Sequence, residues 1–269
     1  MMTINGTLNA NGNENNPIRF TRYGNSDTWG VLFFYETDSK CLLNYCIIEY
    51  TYAITSWDYI YALGAVSLFK SKLDMNHVTI NVDNYFYPVH FHTKSELSVK
   101  SSILHNTKGK ILCFYSLSEH SAYFYNSYLS FGKESDNYGY EAGASNIKYY
   151  NCIKNSDGPG FQDADGGNYA LSSYSQCKGK GEYGTDMGAV VSGASKSNYS
   201  DNNSKSYSGS STISNKQEVY GTWTKSKSPY TIQGEAIVPE GKTLTIEPGV
   251  TVKFKTGTNK RFRQRYAQS

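Results

Sequence analysis

Apolar and polar residues repeat along this chain with a period of about 24 residues. Five segments align without gaps, and they begin at Leu73, Leu97, Ala122, Ile147 and Ser172. Their third positions are Met75, Val99, Phe124, Tyr149 and Tyr174, and their sixth positions are Val78, Ser102, Ser127, Cys152 and Cys177, at steps of 24, 25, 25 and 25 residues. An earlier copy places Leu43 and Cys46 at the same two positions 32 residues before, which implies a longer loop in that coil.

Within each copy, apolar and polar residues alternate with the period of two that is typical of β-strands. The alternation continues two positions further, at Ile48, Ile80, Leu104 and Leu129. A second strand is predicted shortly before each copy, at residues 65–68, 89–92, 111–114 and 189–191. Each coil therefore holds two or three short strands joined by polar turns.

This double periodicity predicts an all-β fold, a parallel β-helix built as a solenoid of ~24-residue coils. One coil cannot bury its apolar face alone, whereas stacked coils pair equivalent strands about 4.8 Å apart. Equivalent side chains then form inward ladders, in which Ser102 and Ser127 need a neighbouring carbonyl or each other as partners. Cys152 above Cys177 would be a buried thiol pair, either free or joined as a disulfide.

Residues 88–106 resemble the repeat of the right-handed parallel β-helix proteins, the pectin-lyase-like superfamily. Residues 6–21 and 29–50 are similar to the first coils of bacterial secreted β-helix modules, which often belong to large surface proteins. The resemblance covers about residues 3–200. It implies a right-handed solenoid and an extracellular or cell-surface location, but it implies little about activity because function resides in sites rather than in folds.

Residues 221–254 resemble the N-terminal cap of the same modules, in which the cap comes directly before a stretch like residues 3–21. We therefore expect a parallel β-helix module lacking its N-terminal cap at 1–200 and a low-complexity linker at 201–228. A β-strand cap resembling the start of a second module follows at 229–258, and a basic tail at 259–269. This order suggests a fragment of a longer array.

Composition narrows the classes of partner. Tyrosine occurs 25 times and only 18% of the residues are charged, which favours strands and polar turns. The net charge of +3 is too small to indicate nucleic-acid binding. No apolar run is long enough for a membrane span. The five cysteines follow no metal-ligand spacing.

Polysaccharide lyases and glycoside hydrolases share the fold that the resemblance implies, so carboxylate clusters are the candidate chemistry. Residues 155–158 faintly resemble the first motif of polygalacturonases, but the motifs that should follow it are absent, and we predict no catalytic residue. Asp163 and Asp165 could hold Ca²⁺, which prefers carboxylate and carbonyl oxygens. Turn formation explains the same Asp and Gly residues equally well, and no other cofactor is indicated.

Aromatic and histidine side chains give the remaining candidates. Trp57, Tyr59 and Tyr61 lie in a loop of a long early coil, where their rings could stack on sugars or cover coil edges. His90 and His92 lie two apart on one strand, so we expect both on its exposed outer face. The other three, His77, His105 and His120, lie near turns and are expected at the surface.

The sequence thus favours a non-catalytic extracellular β-helix scaffold or surface module that binds a polysaccharide or a partner protein. One alternative is a pectate-lyase-like polysaccharide lyase or a glycoside hydrolase. That alternative would be supported if Asp157, Asp163 and Asp165 lay close to a Lys or Arg side chain in a groove. The other alternative is a truncated gene product without an independent function.

Overall fold

The structure is a computed structural model that describes residues 1–25, 28–52, 62–83, 86–108, 111–114, 120–130, 146–190 and 211–255. These residues form a parallel β-helix, because three long sheets each take one strand from every successive coil. All pairings within the three sheets are parallel. In this described part, no helix has the length and apolarity that crossing a membrane requires.

The first sheet has seven strands, which are, in chain order, β1 (Met2–Ile4), β4 (Leu32–Tyr35), β7 (Gly64–Phe69), β10 (Tyr87–Phe91), β13 (Leu112–Phe114), β21 (Gln217–Glu218) and β24 (Ala236–Val238). The second sheet has eight, which are β2 (Thr7–Asn11), β5 (Cys41–Asn44), β8 (Lys72–Asn76), β11 (Glu96–Lys100), β14 (Ser121–Tyr125), β16 (Ile147–Tyr150), β22 (Gly221–Trp223) and β25 (Thr243–Ile246). The third sheet has nine, which are β3 (Ile18–Arg22), β6 (Cys46–Glu49), β9 (Thr79–Val82), β12 (Ile103–Asn106), β15 (Tyr128–Ser130), β17 (Ile153–Asn155), β20 (Ser211–Ile213), β23 (Tyr230–Ile232) and β26 (Thr251–Phe254). A separate antiparallel hairpin consists of β18 (Phe161–Asp163) and β19 (Asn168–Leu171).

The pairing register confirms the periodicity for the earlier copy at Leu43 and for the first four of the five aligned segments. Leu43, Met75, Val99, Phe124 and Tyr149 pair in one continuous row across β5, β8, β11, β14 and β16. The second strands predicted at 65–68, 89–92 and 111–114 fall in or around β7, β10 and β13. Since side chains in this row point inward, the row forms part of the apolar core.

A sharp corner between the second and third sheets repeats in every one of these coils. The corner residues are in the left-handed region, with φ between 46° and 52° at Tyr45, His77, Ser101, Asn126 and Asn151. Each is followed by a member of the sixth-position column, and the column residues Ser102 and Ser127 are fully buried. Ser127 Oγ donates to Tyr125 O (2.8 Å) and accepts from the backbone N–H of Ser102 (3.1 Å). The predicted serine ladder is therefore satisfied by its own coil and by the neighbouring coil.

The fifth copy is not a coil, and this part of the prediction is wrong. Tyr174 is 89% exposed in a turn, and residues 189–190 of the strand predicted at 189–191 are not in a strand. Cys177 leaves the column and packs outside the stack against Ile103, Tyr128 and Met187. Cys152 and Cys177 are both free thiols, so no disulfide joins them.

Residues 158–190, here called the covering segment, lie instead on the outer face of the third sheet. Gly188 N donates to Ser101 O (2.8 Å), and Ala189 N donates to Thr79 Oγ1 (2.9 Å). Val190 then packs against Ile47. The segment thus runs back along the stack from β17 to β6, and β6 to β15 of the third sheet are largely buried on both faces, as parallel sheets commonly are.

Residues 211–255, here called the capping segment, pair with the first coil of the same chain. β24, β25 and β26 pair in parallel with β1, β2 and β3. One coil further out, β21, β22 and β23 pair with them in turn. A low-complexity linker was predicted at 201–228. Residues 211–228 instead contribute β20 to β22 and bury Ile213, Val219 and Trp223.

We predict that Ser127→Val destabilises the fold by about 1–3 kcal/mol, because the buried N–H of Ser102 loses its acceptor. The position tolerates valine sterically, since Val78 occupies the same column two coils away. The matched control is Ser98→Val on the half-exposed outer face of β11, which should change stability by about 0.5 kcal/mol or less. Urea unfolding measures both, and equal effects would contradict the ladder.

Candidate functional site

A buried ion pair fixes the covering segment to the third sheet. Arg19 donates from one nitrogen to Glu49 Oε1 (2.7 Å) and from the other to Gly167 O (2.9 Å). Tyr169 OH donates to Glu49 Oε2 (2.7 Å), and burial together with Glu49 raises the pKa of Tyr169 well above its usual value. Glu49 itself is 1% exposed. Both of its carboxylate oxygens therefore accept hydrogen bonds from within the protein.

The backbone conformation of Gly167 explains why a glycine lies beside this ion pair. Its φ is +74°, a conformation that side chains rarely adopt, and an added Cβ would lie 3.0 Å from the guanidinium of Arg19. Glycine therefore lets the carbonyl approach the arginine closely.

A serine and a histidine also meet beneath the covering segment. His105 and Ser130 are register partners on β12 and β15, and Nδ1 of His105 is hydrogen-bonded to the Ser130 hydroxyl. Burial lowers the pKa of His105 to about 4, against the opposing attraction of Asp83. Ser130 is 1% exposed, and Phe161 packs edge-on against the His105 ring. The pair is enclosed, which makes it a packing contact rather than an accessible nucleophile.

Beyond the covering segment, the described part of the third sheet has an open outer face. There a groove of about 370 Å³ lies over β20, β23 and β26, and it is lined by Tyr23, Thr212, Pro229, Thr231, Gln233, Lys253 and Lys255. Its boundary with the covering segment is formed by Arg22, which lies over the Tyr50 ring at 3.8 Å, and by Tyr50 OH, which donates to Asp165 O (3.3 Å).

Strand register explains which side chains line the groove. Thr212, Thr231 and Lys253 are successive partners in one outward row. Two positions further along, Lys255 directly follows β26, and its ammonium group lies 5.7 Å from the centre of the Tyr23 ring. The groove therefore runs across strands about 4.8 Å apart, along the stack. Its lining offers two ammonium groups, hydroxyls, an amide and a half-exposed phenol ring, and it contains no carboxylate.

A second exposed aromatic row lies on the second sheet. Tyr125 and Tyr150 are stacked in parallel with their centres 4.9 Å apart, and Lys100 lies 5.6 Å from the Tyr125 ring. Because the rings face each other along the row, mainly their edges face outward. The row is a less suitable platform for a sugar ring than the single phenol of Tyr23 in the groove.

The calcium candidates lie in the hairpin of the covering segment. Asp163 Oδ1 accepts from the N–H of Gly166 (2.9 Å), which is the turn function that the sequence left open. Asp165 offers its backbone carbonyl to Tyr50. Within the described ranges, no group of three or more His, Cys, Asp or Glu side chains could hold a metal ion. Calcium binding by these two residues stays a prediction.

The aromatic candidates Trp57, Tyr59 and Tyr61 lie outside the described residues. The groove residues Tyr23, Lys253 and Lys255 were not predicted. A signal was present, because residues 221–254 resemble a cap that precedes a stretch like residues 3–21. Joining the two ends of the same chain would have placed Lys253 beside Thr21.

The expectation of exposed histidines is wrong. His90 is 0% exposed, and His77, His92 and His120 are also buried. His90 and His92 are buried because the outer face of the first sheet is covered by its own apolar cluster, in which Val31, Phe33 and Ala62 pack with Phe69. His77 is buried under the covering segment instead, where its Nδ1 lies 3.3 Å from Gly188 O. His92 lies against Phe69, and burial, reinforced by His120, lowers the pKa of His92 to about 4.

The four thiols whose surroundings the structure describes offer no reactive group either. Burial raises the pKa of Cys41 to about 11 and that of Cys177 to about 12. Burial raises the pKa of Cys46 further and also raises that of Cys152. Thiols with raised pKa values carry little thiolate and are poor nucleophiles and metal ligands.

Comparisons of the chain with protein-family models, with curated proteins and with solved structures find no match. The class of the protein therefore rests on its own architecture, which is a parallel β-helix with one partly covered sheet face.

We predict that Arg19→Met destabilises the protein by about 3–5 kcal/mol, because it leaves the buried Glu49 without its charge partner. The control is Lys40→Met, which breaks the exposed pair of Lys40 with Asp74. Exposed pairs contribute about 0–1 kcal/mol. Urea unfolding compares the two variants, and limited proteolysis should show earlier cleavage within 158–190 in Arg19→Met alone.

We also predict that stability falls as the pH falls from about 6.5 towards 4. The pKa values of His92 and His105 are about 4 in the folded chain but near 6.5 when unfolded, so the unfolded chain binds more protons in this window. Urea midpoints from pH 4 to 7 measure the slope. The His92→Gln, His105→Gln double variant should show a shallower slope, and an unchanged slope would contradict the assignment.

Proposed function

We propose that this chain is a non-catalytic extracellular scaffold module that binds an extended polysaccharide in the groove of the third sheet. The observation that carries the proposal is the lining of the groove. It combines Tyr23, whose ring is half exposed, with the ammonium groups of Lys253 and Lys255 and with the hydroxyls of Thr212 and Thr231. Aromatic faces, hydroxyls and ammonium groups are the chemistry that recognises sugar rings and their polar or acidic substituents.

The shape of the groove supports a polymer rather than a small ligand. Its lining rows cross neighbouring strands, so recognition groups recur at the strand spacing along the stack. A linear chain can lie over such a row and contact several strands at once. The resemblance of residues 3–200 to secreted β-helix modules of the pectin-lyase-like superfamily is consistent with a right-handed solenoid and an extracellular setting.

Binding without catalysis is favoured by the position of the carboxylates. Glycoside hydrolysis uses a pair of carboxyl groups on either side of the scissile bond, and the groove lining has none. The nearest acidic neighbour along the outward row that contains Lys253 and Thr21 is Glu49, which is buried and engaged by Arg19 and Tyr169. Asp163 is engaged in its own turn.

We test the proposal with a panel of soluble polysaccharides, including neutral glucans and polygalacturonate, measured by calorimetry in the presence and absence of Ca²⁺. The Lys253→Met, Lys255→Met double variant should bind its best ligand at least tenfold more weakly, which corresponds to about 1.4 kcal/mol. The control is the Lys40→Met, Lys72→Met double variant, which also removes two positive charges, but at the second sheet. It should change affinity less than twofold.

Two outcomes would contradict this function. Equal binding by both double variants would place the ligand outside the groove. Release of unsaturated products or new reducing ends from polygalacturonate would show catalysis and favour a lyase or a hydrolase.

A further inference from the structure

The capping segment is held by a small, self-contained part of the chain. Met1 N donates to Gly234 O (2.6 Å), and Thr3 Oγ1 donates to Glu235 Oε1 (2.6 Å). At the turns, Lys225 Nζ donates to Asn16 Oδ1 (2.7 Å), and Gly241 N donates to Asp38 Oδ2 (2.6 Å). These contacts all end on residues 1–38, so what recognises the segment is the first coil together with the β4–β5 turn of the second coil.

The two surfaces are complementary in register and in apolarity. Strands β1 to β3 and β24 to β26 are paired residue by residue along all three sheets. The inward side chains on both sides are 0–1% exposed, and they are Met2, Ile4, Leu8, Ala10, Ile18 and Phe20 on one side and Ala236, Val238, Leu244, Ile246, Val252 and Phe254 on the other. Trp29 stacks on Phe254 with ring centres 3.9 Å apart. Withdrawal of the segment would expose an apolar coil and three open strand edges, which would favour pairing with another strand source.

The connection between the covering segment and the capping segment has more residues than the distance between its ends requires. Twenty residues, 191–210, separate Val190 from Ser211. Val190 packs on β6, and β20 is the fourth strand beyond β6 in the third sheet. Four strand spacings amount to about 19 Å, whereas twenty residues can extend to about 70 Å at most. The connection can therefore reach the first coil of a neighbouring copy.

We propose that the capping segment also pairs with β1 to β3 of a second copy of this chain. The exchanged form makes the same contacts as the closed form, so the two differ mainly in the cost of bringing two copies together. Reciprocal exchange gives a closed dimer, and one-way exchange gives a head-to-tail chain of β-helices. Tethering gives a chain's own segment a high local concentration, which favours the closed form in dilute solution. A second copy competes better as the protein concentration rises, so the fraction of the exchanged form increases with protein concentration.

The test uses two full-length variants with one new cysteine each. Asn9 and Thr245 are register partners on β2 and β25, and both are half-exposed. Their strands lie at a spacing that a disulfide can bridge. Asn9→Cys and Thr245→Cys chains are mixed in urea, refolded together at rising protein concentration and oxidised. We expect a disulfide-linked dimer, which increases with concentration and which neither variant forms alone.

Two controls make the result specific. Thr222 is exposed on β22, beyond β25 and therefore two strands from Asn9, so Thr222→Cys mixed with Asn9→Cys should give no cross-linked dimer. The Asn9→Cys, Thr245→Cys double variant, refolded at low concentration, should give a cross-linked monomer and shows that this pair can form the bond. A mixed sample that stays monomeric while the double variant cross-links would overturn the proposal, and so would dimers that form equally with Thr222→Cys.

Discussion

Every part of this molecule depends on covering an apolar coil with another coil. A single coil of about 24 residues has too little interior to be stable, and each added coil buries the face of the one before it. The constraint is most severe at the ends of the stack. At the β1 end the chain meets it with its own residues 211–255, so the strand that begins at Met2 lies inside a sheet, between β24 and β4. The loops, the corners and the groove all follow from this stacking.

The stacked coils could be predicted because their signal is local. Inward side chains alternate along each strand, and the same inward position recurs from Leu43 to Tyr149. The serine ladder follows from that register, since a small hydroxyl residue at a tight corner finds its partners in its own coil and in the next one. The copy at residues 172–177 has the same spacing but lies on the outside. Periodicity reports which side chains of a segment share a face, and it cannot report which surface that face meets.

The groove could not be predicted from local patterns, because its residues come from distant parts of the sequence. Tyr23 directly follows β3, whereas Lys253 and Lys255 lie in and just after β26. They become neighbours only when the capping segment pairs with the first coil. The prediction that His90 and His92 are exposed was wrong for a related reason. Alternation correctly placed His90 and His92 opposite Val89 and Phe91, but the outer face of the first sheet is itself covered, and alternation alone does not reveal a second buried face.

The outer face of the third sheet combines a covered part with an open part. Arg19 and Glu49 lie at the boundary, where their ion pair fixes the hairpin of the covering segment by way of Gly167 and Tyr169. On one side of this boundary the outward row lies under the covering segment, where His105 bonds to Ser130 and Asn81 donates to Tyr169 OH (3.4 Å). On the other side the same row continues into the open as Thr231 and Lys253. Glu49 at this boundary is buried and paired with Arg19. The open part of the face therefore presents hydroxyl and ammonium groups. For this composition we propose polymer binding rather than glycoside hydrolysis, because hydrolysis uses a pair of carboxyl groups.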